Sequence, residues 1–252
     1  MIKLVNVQMA YRGKPVLEAI NLEVRRGEIL VIIGPSGSGK STLLRLIIGL
    51  LKPTAGEIWV DGQEISRMSE NELNQMRRHM GMVFQYSALF DSMSVGENVA
   101  FGLRQHTDMD EDEIAKIVRN KLRMVGLSGR ESDMPNELSG GMKKRVSLAR
   151  AIAVNPEIVL YDEPTAGLDP IISDTIDRLI AGTRRRLGVT SIVVTHQMSS
   201  AFKLADRMIM INKGRIIEEG DSDAIRRSEN RLVQRFIQGW SPDSKIERRF
   251  RP

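Results

Sequence analysis

The 252-residue chain contains no cysteine, which excludes disulfides and thiolate metal sites. Aromatic residues are scarce as well, at 4%, too thin a supply for a base-stacking platform, so no nucleic-acid partner is expected. Long hydrophobic runs are also missing. "ILVII" (29–33) is short and "LLRLIIGLL" (43–51) is broken by Arg45, whereas a membrane-spanning helix needs about 20 apolar residues. The opening "MIKLVNVQMAYRGK" enters strand-like alternation directly, without the basic, apolar and small-residue order of an export signal, and is read as staying in the cytoplasm. The net charge is +5, and residues 221–252 hold eight Lys and Arg against five Asp and Glu. Most of the excess is therefore a basic tail and not a nucleic-acid face.

What is present is an alternation of strand-like and helix-like runs, the pattern of an α/β domain with a largely parallel sheet. Buried parallel strands are expected at 29–33, 81–85, 158–163, 191–196 and 207–211. Three short runs at 2–7, 19–24 and 57–62, punctuated by Gly and Asp, predict a small antiparallel sheet beside it. Between Gln85 and Leu138 the helical patterns at 94–104 and 110–125, with no convincing strand, mark an inserted helical segment. Residues 221–252 read as an extension of one or two short helices followed by a tail too polar to pack alone.

"GPSGSGKST" (34–42) follows a strand and opens a helix. Gly34, Gly37 and Gly39, with Pro35, Ser36 and Ser38, let consecutive N–H groups turn toward phosphates. Lys40 reaches the terminal phosphates, and the hydroxyl of Ser41, followed by Thr42, suits magnesium. "IVLYDEP" then supplies Asp162 for the magnesium shell and Glu163 to polarise an attacking water. His196 after "SIVVT" is placed to touch the terminal phosphate and hold Glu163 and water in line. Gln85 after "GMVF" is a further magnesium-shell group, and Tyr11, read as lying in the loop after the first strand, is the candidate for stacking on adenine.

"LSGGMKKRVSLARA" (138–151) sets Ser139, Gly140 and Gly141 at the mouth of a basic helix. Two glycine N–H groups and a hydroxyl approach an anion closely, although Ser139 also suits a plain helix cap. Together with Gln85, "AGLD" (166–169) and His196, in this order, these motifs make residues 1–220 resemble the ATP-binding subunit of an ABC transporter. The resemblance implies a P-loop NTPase core of the ABC type, with a small antiparallel β subdomain and an α-helical subdomain inserted at about 86–153. It implies ATP and Mg2+ as cofactors, and ATP hydrolysis by Lys40, Glu163 and His196. It further implies that two copies pair head to tail, so that Ser139, Gly140 and Gly141 meet the phosphate held by the partner's Lys40 and Asp169 lies at the seam. The remaining implied partner is a multi-span permease received between residues 86 and 137, which sets the chain on the cytoplasmic face of the inner membrane as a peripheral subunit.

Within the family, "SALFDSMSV" (87–95) and "THQMSSAFKLADRMIMINKGRI" (195–216) look like the ATPases of Mla-type systems, which move phospholipid between bacterial membranes and have relatives in mycobacteria and chloroplasts. That likeness adds accessory cytoplasmic and periplasmic lipid-binding subunits to the implied partners. The alternative is an importer of another substrate such as polar amino acids. ABC ATPases acting on DNA or in translation fit less well, since they carry coiled coils, zinc modules or paired cassettes. The basic tail either is disordered or wraps onto a partner subunit. Two residues depart from the family pattern, Met142 where Gln is usual and Gln197 where Asp is usual. The phosphate contact belongs to the residues before Met142. Met142→Gln is therefore expected to change steady-state ATP turnover by less than about threefold, and a large gain would show that position 142 acts directly on the site.

Overall fold

The computed structural model describes residues 1–239, so the part of the proposed tail at 240–252 lies outside the described residues. The chain runs β1 (Ile2–Tyr11), β2 (Lys14–Val24), β3 (Ile29–Ile33), α1 (Lys40–Ile47), β4 (Ala55–Val60), β5 (Gln63–Glu64), α2 (Glu70–Arg77) and β6 (Met80–Val83). Three helices follow, α3 (Val95–His106), α4 (Glu111–Met124) and α5 (Gly140–Ala151). The chain then continues through β7 (Ile158–Asp162), α6 (Pro170–Leu187), β8 (Thr190–Val194), α7 (Met198–Leu204), β9 (Arg207–Asn212), β10 (Arg215–Gly220), α8 (Ser222–Arg226) and α9 (Arg231–Ile237).

Strands β2-β1-β4-β5 form the antiparallel sheet and β10-β9-β3-β8-β7-β6 the larger one, in which β6, β7, β8, β3 and β9 are parallel. Each central strand is apolar on both faces, as a sheet covered on both sides requires. Ile29, Val31 and Ile33 of β3 join the core under α3 to α7. Leu30 and Ile32 join the opposite core with α1 and the antiparallel sheet. The inserted helices share the first core: Val95, Val99, Leu103, Ile114, Val118 and Leu122 pack into the same cluster as β3, β7 and β8. Both α3 and α4 begin with capping boxes, Ser94 with Glu97 and Asp110 with Glu113, which satisfy N–H groups that the first turn leaves free.

One sequence expectation needs correction here. The first strand does not stop at residue 7; it continues through Tyr11 and turns over Arg12 and Gly13 into β2, so Tyr11 belongs to a strand and not to the loop after it. The edge of the larger sheet carries a strand for which the sequence gives no expectation, β10, which pairs antiparallel with β9. "RIIEEG" has too little alternation to announce a strand. Its place is set by register with β9 and by the Glu18 N–H bond to Gly214 O of the connecting turn.

The C-terminal end of α5 lies directly on β6. A Cβ at Gly81 would sit 2.3 Å from the carbonyl oxygen of Ala151, a main-chain atom that cannot swing away. Gly81→Ala is expected to cost about 1–3 kcal/mol of stability, read as a lowered denaturant midpoint with unchanged slope.

Candidate active site

The loop after β3 reaches α1 through backbone shapes that glycine permits. Gly34 has φ 147, and a Cβ there would lie 2.1 Å from Ile211 O. Gly39 caps α1 with φ 105 and offers no side chain, so the first N–H groups of the helix have no side-chain acceptor. That is the construction of an anion site. Lys40, 7% exposed, donates from Nζ to the carbonyls of Gly34 and Pro35, both at 2.8 Å. Burial lowers its pKa, against the opposing pull of Glu163 and Asp162.

The carboxylates arrive from β7. Asp162 ends the strand and accepts from Ser41 Oγ at 2.8 Å, joining the first turn of α1 to the sheet. Glu163 was expected to continue the strand. It instead has φ 48, with its N–H on Val194 O at 2.9 Å. Strict alternation would send neighbouring side chains to opposite faces. The left-handed residue breaks that alternation, and Glu163 faces the same cavity as Lys40, at the energetic cost such a conformation carries. His196 follows β8 and places Nδ1 2.9 Å from Glu163 Oε2, so Nδ1 carries the proton in that contact and Nε2 points away from the carboxylate.

A cavity of about 320 Å³ is lined by Val16, Ser36, Gly37, Gly39, Lys40, Ser41, Thr42, Gln85, Glu163 and His196. The sequence reading thus comes together in space for the phosphate loop, Gln85, Glu163 and His196, with Asp162 beneath it through Ser41. Tyr11 is 41% exposed and is not among the lining residues, which include Val16 from β2 instead. Ser139, Gly140 and Asp169 also lie elsewhere, exposed on the surface, whereas Gly141, expected on the same surface, is buried against Ile172, where a Cβ would lie 2.6 Å from Cγ2. Ser139 caps α5, accepting from Met142 N–H at 3.3 Å, while the Met142 side chain packs against the core. Asp169 caps α6 through the N–H groups of Ile171 and Ile172.

Gln197 forms a reciprocal pair with Thr165. Its Nε2 donates to Thr165 O at 3.3 Å and its Oε1 accepts from Thr165 Oγ1 at 3.1 Å, a pairing whose donor half an aspartate could not provide. Lys144 went unnoticed in the sequence. It is 5% exposed and donates to the main-chain carbonyls of Phe84, at 3.3 Å, and Gln85. Burial lowers its pKa to about 8, opposed by Asp162 and Glu163. The only available signal was a cation placed three residues after Gly141, on the buried side of α5. A larger cleft of about 630 Å³ lies at the amino ends of the parallel strands, and four of its charged groups are already paired, Arg207 with Glu28 at 2.7 Å and Arg184 with Asp206 at 3.1 Å.

A family model described as ABC transporter matches residues 17–166. The chain is 44% identical over 241 residues to the intermembrane phospholipid transport system ATP-binding protein MlaF of Haemophilus influenzae, covering 96% of this chain and 91% of that one. It is 46% identical over 248 residues to the methionine import ATP-binding protein MetN of Carboxydothermus hydrogenoformans, covering 97% and 70%. Among solved structures, the dimeric post-hydrolysis state of the ATP-binding cassette MJ0796, bound to ADP and phosphate, superposes with a TM-score of 0.82 at 36% identity, over 88% of this chain and 99% of that one. Shared sequence over nearly the whole length and a shared cassette fold agree with the phosphate loop and its adjoining acid: the chain belongs to the ABC transporter family, as one of its ATP-hydrolysing subunits.

Proposed function

We propose that the protein powers a membrane transporter for phospholipid, working as a pair of identical subunits on the cytoplasmic face of the inner membrane beside a multi-span permease. The observation that carries the catalytic reading is the Glu163–His196 contact at 2.9 Å in the wall of the phosphate-loop cavity. ATP places its phosphates on the N–H groups of residues 36–42 and on Lys40. Tyr11 is assigned to the adenine. A water on the far side of the terminal phosphate gives its proton to Glu163 as its oxygen attacks phosphorus and the bond to ADP breaks. His196 holds Glu163 in orientation through Nδ1–H, and only the imidazolium form, with a proton on Nε2 as well, can donate from Nε2 to a phosphate oxygen.

Magnesium fits the oxygen-donor set present. Ser41 Oγ and Asp162 Oδ1 are 2.8 Å apart, with Gln85 in the same cavity, and these residues would hold the ion against the phosphates. When bound, it would neutralise charge building on the phosphate oxygens. Pairing is supported by the exposure of Ser139, Gly140 and Asp169 away from the chain's own cavity, since an ATP held there leaves the signature residues free for another subunit's phosphate. Phospholipid as the cargo is supported by the "SALFDSMSV" segment and by the relative named for that transport. The 46% identity with a methionine import subunit favours a second reading, an importer of a small polar solute. Lipid counting on the purified complex of chain and permease decides between them.

Replacing the base tests the mechanism. Glu163→Gln is expected to lower ATP turnover by about 100-fold or more while MgATP binding is kept, because the amide cannot take the proton. Wild-type turnover in that variant, measured as phosphate release, would remove Glu163 from its role.

A further inference from the structure

The loop between β6 and α3 is held from outside itself. Ser87 and Ala88 have φ 58 and 48, left-handed shapes that no glycine relieves. Its carbonyls turn toward side chains of α5: Lys144 takes those of Phe84 and Gln85, and Arg150 takes those of Ser87, at 3.1 Å, and Ala88, at 2.7 Å. The Arg150 guanidinium also lies 5.8 Å from the Phe90 ring centre. From the other side the Asn98 amide donates to Phe90, Met93 and Ser94. Arg150 and Asn98 hold the outer part of the loop. Lys144 holds the part that enters the ATP cavity.

Burying an ammonium is costly unless its donors are satisfied and opposite charge is near. Two of its three donors are met here by the Phe84 and Gln85 carbonyls, and the field of Asp162 and Glu163 partly offsets the burial. The cation is therefore placed where the main chain of Gln85 and the acid pair converge.

We propose that Lys144 is a positioning residue for ATP hydrolysis: by clasping the main chain at Phe84 and Gln85 it aims the Gln85 side chain into the ATP cavity and ties that aim to α5. The consequence follows from where α5 begins. Its exposed start, Ser139 and Gly140, is the surface assigned to the partner's phosphate, and Lys144 lies one turn further along the same helix. A shift of α5 on meeting the partner's ATP therefore reaches the chain's own Gln85 through a rigid element. The proposal rests on Gln85 serving the bound nucleotide.

The test is a double-mutant cycle on the full chain, reading kcat and KM for MgATP together with thermal melting. Lys144→Met is expected to lower kcat about tenfold, to keep KM within about twofold and to retain a cooperative melt. In a Gln85→Ala background the same change is expected to lower kcat by less than about twofold, because the group it positions is gone. Equal losses in the two backgrounds, or a Lys144→Met enzyme with unchanged kcat, overturn the proposal. A raised KM with kcat unchanged overturns it too. Should Lys144→Met not fold, Lys144→Gln, which keeps two N–H donors on a shorter, uncharged side chain, carries the same comparison. Gln85→Ala alone at wild-type turnover would fail at a different place: it removes the role of Gln85 itself, and with it anything for Lys144 to position.

Discussion

The first turn of α1 has N–H groups with no side-chain acceptor, and the rest of the site is organised around that deficit. An uncapped helix start is unfavourable unless an anion completes it. The fold places this one at the carboxyl end of β3, beside the ends of β7 and β8, where loops can converge on whatever it binds. Ser41 bridging to Asp162 fixes the distance between the helix and the sheet. The left-handed Glu163 then brings a second carboxylate to the same side of the strand end, where His196 meets it.

The other helix start is the complementary case. At α5 the cap is present, supplied by Ser139, and it faces solvent and not the chain's own cavity. One polypeptide thus holds a phosphate loop with its acid pair, and separately a glycine-lined helix end aimed elsewhere. The proposed sharing of ATP between two copies accounts for that separation. It also explains why α5 is so firmly built in: its far end presses on Gly81, and Lys144 and Arg150 bind the Gln85 loop. A helix proposed to answer a neighbour is stiffly joined to something of its own.

Much of this was readable in the residues, and the exceptions have a common physical character. "GPSGSGKST" announces its conformation because glycines and a lysine at that spacing serve few other purposes. The parallel strands announce themselves because a strand buried on both faces must be apolar throughout. β10 did not, since an edge strand has no such obligation and owes its existence to β9. Tyr11 was misplaced because a hairpin turn over Arg12 and Gly13 depends on pairing with β2. Lys144 was overlooked because a lysine beside another lysine on a helix reads as solvated, and only packing reveals which of the two is buried.

The order of motifs by itself therefore determined that this protein is an ATP-hydrolysing cassette, and it carries the proposed assignments of which atoms meet phosphate, which carboxylate takes a proton and which helix start is a second anion surface. Those are local properties, carried by residue type and short spacing. The tertiary structure alone decided the turn of Glu163 out of its strand, the reciprocal pairing of Gln197 with Thr165, and the capture of the Gln85 loop by a buried lysine about 60 residues further along the chain. Each of these depends on a partner far away in sequence, and no periodicity or spacing records a contact that forms only when the chain is folded.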